Sequence, residues 1–237
     1  ANTDDAVALS GELVTARPSL LTQVHVNHRA GFPLFAGESC LHICAVNVRE
    51  ALFCKMIDLT VSQLPKEQAV ALYESQAAGV FFDELPMRFC GGSPLAYACC
   101  FQLRRPVQKM LETGFIDIND RSQSCKISGF LPIHAVVSNG LMDTYDWLTE
   151  KLPESIRVDA TQRSAVGRQV GLNVHGLLPA QLAAWLGDHA SVKHILKKQV
   201  SILWIWGPVT QYSMNLRGID SAGEGGGDIM ELVARQD

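Results

Sequence analysis

The sequence predicts a mostly α-helical solenoid with long finger loops and a small C-terminal β-hairpin and linker element. Three observations carry that expectation. A short phrase opening on glycine recurs four times along the 237 residues. Each copy is followed by a second helical segment ending in a pair of large apolar residues. After residue 199 the apolar period changes from helical to strand-like.

The elements follow in order. Residues 5–30 are read as one to one and a half further repeats, too worn to delimit. The first full phrase is Gly37-Glu38-Ser39-Cys40-Leu41-His42-Ile43-Cys44-Ala45, and the second is Gly91-Gly92-Ser93-Pro94-Leu95-Ala96-Tyr97-Ala98-Cys99. The third is Gly129-Phe130-Leu131-Pro132-Ile133-His134-Ala135-Val136-Val137, and the fourth is Gly176-Leu177-Leu178-Pro179-Ala180-Gln181-Leu182-Ala183-Ala184. Glycine permits a tight turn. Serine caps the helix that follows, and proline suits its first turn. Ala45, Ala98 and Ala183 let neighbouring inner helices approach closely. The second helices end in Met56-Ile57, Met110-Leu111, Trp147-Leu148 and Ile195-Leu196. Gly114 stops one of them, while Asn139-Gly140 and Gly187-Asp188 supply turns within the later repeats.

One short helix pair cannot bury its apolar face, but a stack of three or more can. The phrase resembles the ankyrin pattern Gly-x-Thr-Pro-Leu-His in degenerate form. His42 and His134 keep the motif histidine, whereas Ala96 and Gln181 replace it. The glycines fall 54 (91−37), 38 (129−91) and 47 (176−129) residues apart, against about 33 for a plain ankyrin unit. The excess is assigned to two insertions, residues 60–90 and 153–175. The first contains a short amphipathic helix near Pro65–Tyr73 and closes on Phe81, Phe82, Leu85 and Phe89. Residues 1–198 are thus expected to hold about five to six ankyrin repeats. Residues 199–237 are expected to form a β-rich linker. In that linker, Val200–Trp206 reads as a strand, and Ser213–Ile219 is expected to pair with Ile229–Ala234 across Gly223–Gly227.

Composition bounds the function. Hydrophobic residues make up 47% and charged residues 19%, which excludes a disordered chain. A net charge of −4 argues against a phosphate-backbone binder, so no nucleic-acid partner is expected. No apolar run is long enough to span a bilayer. The opening Ala-Asn-Thr-Asp-Asp has no basic leader, and the chain reads as a piece of something longer. Seven cysteines form an odd set among apolar neighbours, which suits a reducing compartment.

Three phrases, in order, resemble the cytoplasmic N-terminal region of vanilloid-type TRP cation channels. Phe35-Ala36-Gly37-Glu38-Ser39-Cys40-Leu41-His42 is similar to that family's aromatic-x-Gly-x-Thr-Ala-Leu-His repeat start. Phe89-Cys90-Gly91-Gly92-Ser93-Pro94-Leu95-Ala96-Tyr97-Ala98-Cys99-Cys100 is similar to its Tyr-Phe-Gly-Glu-x-Pro-Leu-x-x-Ala-Ala-Cys. Trp204-Ile205-Trp206-Gly207-Pro208-Val209, with Leu216 and Ile219-Asp220 downstream, is similar to its Trp-Ala-Tyr-Gly-Pro-Val…Leu-x-x-Ile-Asp. The resemblance covers residues 35–233.

It implies a non-enzymatic assembly and regulatory domain on the cytoplasmic face of a membrane, part of a homotetrameric, calcium-conducting channel, with the linker leading toward a missing transmembrane part. The partners it implies are neighbouring subunits, a calmodulin-like protein and a phosphoinositide. Phe81, Phe82, Trp204, Trp206, Gly207, Pro208 and Tyr212 are the expected intersubunit contacts, since interfaces favour aromatic anchors. The opposing reading makes these aromatics an intramolecular cap on the stack. The family's basic, aromatic nucleotide surface has no counterpart here, so no ATP site and no other cofactor is expected. The alternative function is a free-standing ankyrin adaptor that recruits a soluble partner through its concave face.

Other candidates rank lower. His25 with His28, and His189 with His194, lack a metal-binding frame, and Cys40-x3-Cys44 suits core packing better than a metal. His42 and His134 are expected to hydrogen-bond neighbouring repeats rather than to act as bases. No Gly-x-Ser-x-Gly elbow makes Ser93 a nucleophile. Gly223–Gly227 lacks a P-loop ending. Lys193, Lys197 and Lys198 form a small basic face that complements the α-helix dipole, or meets a phosphoinositide.

Overall fold

A computed structural model describes residues 3–24, 35–79, 90, 92–165, 176–216, 218–220 and 228–234. The chain is mostly helical with one two-stranded antiparallel sheet. In chain order the α-helices are α1 (Thr3–Ala16), α2 (Cys40–Val46), α3 (Glu50–Gln63), α4 (Lys66–Tyr73) and α5 (Pro94–Cys100). They continue with α6 (Arg104–Glu112), α7 (Pro132–Ser138), α8 (Met142–Asp146), α9 (Pro179–Trp185), α10 (His189–Lys198) and α11 (Ile229–Ala234). A π-helical turn, Trp147–Lys151, extends α8.

Two rows of helices result. The inner row runs α2–α5–α7–α9–α11, each member packed on the next. The outer row contains α3, α6, α8 and α10, each joined to the inner helix before it. Lys109 of α6 reaches Asp58 of α3 at 2.6 Å, and Lys198 of α10 reaches Asp146 of α8 at 3.0 Å. One apolar core runs unbroken from Val14 to Leu232. Leu41, Ala45, Leu95, Ala98, Ile133, Leu182 and Ala183 line it with almost no exposure. Small residues therefore sit where inner helices meet, as the phrase requires.

The inner helices are seven residues long or shorter, too short to stand alone in water. Their starts are specified locally. Ser93 caps α5 by accepting the Ala96 N–H at 3.2 Å. Proline occupies the first turn of α5, α7 and α9. The expected helix in the first insertion forms as α4, and its Ala69, Leu72 and Tyr73 are buried. N-terminal to the first phrase, α1 packs on α3.

The tail differs from the sequence reading. Ser213–Ile219 does not pair with Ile229–Ala234. Strand β1 (Val200–Trp206) pairs instead with β2 (Val209–Met214). Gly207-Pro208 forms a two-residue turn in which Gly207 has φ +57°, suited to a tight hairpin. Residues 229–234 are α11, because Ile229 and Leu232 stand three apart and bury one face on α9. Gly223–Gly227 lies outside the described residues, as do Phe81, Phe82, Leu85, Phe89 and Gly91. Among the described residues no helix is long and apolar enough to cross a membrane.

Candidate functional site

The hairpin is the part of the fold whose surface its own core does not explain. Trp206 is 79% exposed, Ile205 64%, Tyr212 60% and Trp204 45%. Ile202, Leu203, Val209 and Leu216 are exposed as well. A lone two-stranded sheet is marginally stable in water, and this one is fixed to the stack at its base. The Asn215 N–H donates to the Gln199 carbonyl at 3.2 Å, and β1 touches α10. A bulge at Leu203 interrupts the register between Ile202↔Tyr212 and Trp204↔Gln211. Beyond it, Trp204, Trp206, Gln211 and Val209 share one face by alternation. The aromatics therefore do not cap the stack. Ile219, Ile229 and Leu232 do that instead, as members of the continuous core.

The basic face is smaller than the sequence suggested. Lys198 is held by Glu150 and Asp146 at 2.5 and 3.0 Å. His194 Nε2 lies 2.8 Å from the same Asp146 carboxylate. These contacts hold Asp146 below the usual carboxylate range despite its burial, and push Lys198 upward. Lys193 and Lys197 make no ion pair among the described residues and border an apolar groove with Val192, Leu196, Val200 and Met214.

The repeat residues build a relay between successive loops. His42 is fully buried; its Nδ1 accepts the Ser39 N–H at 3.1 Å. That fixes the proton on Nε2, which donates to the Gly92 carbonyl at 2.9 Å. The same carbonyl also accepts the Ala77 N–H at 2.8 Å. Two phrases later the Nε2 half of the arrangement returns, while the buried Nδ1 of His134 has no hydrogen-bond partner among the described residues. His134 Nε2 donates to the Leu177 carbonyl at 2.9 Å, and Leu177 also accepts the Ser164 N–H. Burial drives both histidines down to about 4, and the accepting carbonyls only partly oppose it. Neutral, enclosed and committed to structure, they are not bases.

Gln181 takes the histidine's place in the fourth phrase without losing its task. Its Oε1 accepts the Leu178 N–H at 2.8 Å, and its Nε2 donates to the Gly218 carbonyl at 3.1 Å. Gly218 has φ +78°, close to Gly37 (+81°), Gly129 (+76°) and Gly176 (+75°). Gly218 therefore opens a fourth turn of the same kind among the described residues, and α11 lies beyond it. The sequence reading missed both residues. The usable signal was that glutamine can accept and donate like a neutral imidazole.

Other named residues have structural places. Leu41, Leu95, Pro94, Pro132 and Pro179 are buried along the inner row. The cysteines of the described residues are all free thiols, and Cys40 and Cys44 pack against the core. Burial pushes Cys44 up to about 12, as for an inert thiol. Among the described residues no cluster of three His, Cys, Asp or Glu is placed to hold a metal. His25 and His28 lie outside them. No family model matches this chain, and no curated protein matches it.

Proposed function

We propose that the helix pairs form an ankyrin-type solenoid, and that the chain is the cytosolic assembly and regulatory domain of a tetrameric TRP-type cation channel. One observation carries the reading most heavily: the exposed aromatic hairpin that projects between α10 and α11. An isolated soluble domain gains nothing from Trp206 in water, whereas an interface gains a desolvated anchor. The repeated glycine turns, the histidine bridges and the single elongated core support the ankyrin part. The phrase resemblance supplies the channel part. On this reading Trp204, Trp206 and Tyr212 meet a finger of the adjacent subunit, with Phe81 and Phe82 as the partners proposed across the boundary. Coupling of cytosolic signals to gating, through a calmodulin-like protein or a phosphoinositide, belongs to the same proposal.

The test is Trp206→Ala in the full-length protein. Tetramer assembly on size exclusion with light scattering should weaken, while the 237-residue piece keeps its thermal transition. Unchanged assembly of the full-length variant overturns the interface. If the open reading frame ends at Asp237, the channel reading fails and the free-standing adaptor takes its place.

A further inference from the structure

A cavity of about 80 Å³ lies where the stack, the second insertion and the return from the hairpin meet. Its wall draws on five parts of the chain. Ala160, Thr161 and Arg163 come from the insertion; Leu178 and Ala180 come from the start of α9. Ile195 and Gln199 come from α10 and its end, Asn215, Gly218 and Ile219 from the return, and Ile229 from α11. The wall is already fixed by hydrogen bonds. Arg163 Nη1 donates to the Gly176 carbonyl at 2.7 Å, Asn215 N–H to the Gln199 carbonyl, and Gln181 Nε2 to the Gly218 carbonyl. Preformed, apolar-walled hollows with a few convergent polar groups are the usual form of a small-molecule site.

Two polar groups at this wall lack the partner their chemistry asks for. Among the described residues Arg163 forms no ion pair, although Asp159 stands four positions before it in the chain. A guanidinium carries five donors, and Nη1 alone reaches the Gly176 carbonyl. Gln199 Oε1 is buried and accepts no hydrogen bond. An orphaned buried acceptor is costly enough that a water or a ligand donor normally answers it. Thr161 and Asn215 add polar groups to the rim, and Leu178, Ala180, Ile195, Ile219 and Ile229 supply an aliphatic wall.

We propose that this cavity binds a small carboxylate with a branched apolar body and one hydrogen-bond donor. The carboxylate meets Arg163, the donor answers Gln199 Oε1, and the body lies among Leu178, Ile195, Ile219 and Ile229. The volume holds about five waters, or one molecule of about six to eight non-hydrogen atoms. Because the wall joins the last repeat to the hairpin's base and α11, an occupant tightens that junction. The site does not depend on what the hairpin meets, so it stands or falls separately from the channel reading.

Three probes separate the contributions: 2-hydroxy-3-methylbutanoate, 3-methylbutanoate and 3-methylbutan-1-ol. Titrations of the 237-residue protein by calorimetry and by amide chemical shifts should show saturable binding of the hydroxy acid, with shifts at Ile219 and Ile229. Loss of the hydroxyl or of the carboxylate should each weaken binding by about tenfold. Gln199→Leu should keep the apo transition and bind both acids equally, and Arg163→Gln should abolish the preference for acids over the alcohol. No saturable binding at millimolar concentration, shifts away from the wall, or an unaltered probe ranking in Gln199→Leu each overturns the proposal. So does a crystal soaked with the hydroxy acid that shows only ordered water.

Discussion

Acid should unfold this protein through two histidines. His42 and His134 are buried and held neutral at about 4, while an unfolded histidine titrates near 6.5. The folded value is the lower one, so below pH 6.5 the unfolded state binds protons that the folded state refuses. The stability these groups contribute is full above about pH 6.5 and is lost as pH falls toward 4. At pH 5 the unfolded side chains are almost wholly protonated and the folded ones are not. Each site then forfeits about 2 kcal/mol and the pair about 4 kcal/mol, against a total of 5–15 kcal/mol for an ordinary domain.

Urea unfolding at pH 7.5 and pH 5.0, followed by circular dichroism, reads this directly. The chain supplies its own control, because Gln181 makes the same bridge without titrating. His42→Gln should cut the loss between the two pH values by about half, and the double variant with His134→Gln should remove most of it. The lowered carboxyls of Asp120, Asp146 and Asp188 do not confuse the window, since depressed carboxylates lose their contribution only at still lower pH. Glu38, raised by burial, acts in the opposite sense and favours the folded state as acid is added. A wild type that loses less than about 1 kcal/mol, or a double variant that loses as much as wild type, refutes the reasoning.

Further measurements bear on the turns and the outer row. Gly37→Ala places a Cβ against the Gln76 carbonyl at φ +81°, whereas Gly114→Ala, at φ +65°, meets nothing within 4 Å. Both pay the left-handed penalty of about 1–2 kcal/mol, so Gly37→Ala should lower the thermal midpoint clearly further, and equal midpoints count against the close approach. Gln181→Ala orphans the Leu178 N–H and releases the Gly218 carbonyl. It should cost about 1–3 kcal/mol, with amide exchange rising first in residues 229–234; uniform exchange breaks the link to α11. Asp146→Asn removes the shared partner of His194 and Lys198. Partly exposed pairs are weak, so a loss of about 1 kcal/mol that shrinks in high salt is expected, and a salt-independent loss contradicts the ionic account.

The inner row was legible because its signal is local and repeated. Glycine, a cap, proline and small residues sit at fixed offsets, and α5, α7 and α9 start where those offsets place them. The fate of the two histidines was legible for the same reason. The tail was misread because its strand pairing depends on which partner is nearest in space. The Gly-rich run looked like the better turn, but Gly207-Pro208 brings Val209–Met214 beside β1 at once. Six residues from Ile229 to Ala234 show too little periodicity to tell helix from strand alone. Their burial against α9 decides the matter. Lys198 was placed in a small basic face with Lys193 and Lys197 because the carboxylates that hold it, Asp146 and Glu150, are 52 and 48 positions away.

The hairpin's position gives its exposure a meaning that the residue types alone do not. Helix pair α2–α3 is followed by an insertion and then α5 on the inner row. Pair α7–α8 is followed by an insertion, the Gly176 turn and α9. Pair α9–α10 is followed by the hairpin, the Gly218 turn and α11, with Gln181 bridging as His42 and His134 do. By this register β1 and β2 fall between α10 and α11, inside the order of helix pairs and not beyond it. The stack closes behind them with Ile219, Ile229 and Leu232. A hairpin that ended in glycines and polar residues would serve the stack equally well. Trp204, Trp206 and Tyr212 are therefore not required by the fold that carries them, and their apolar surface stays open to solvent.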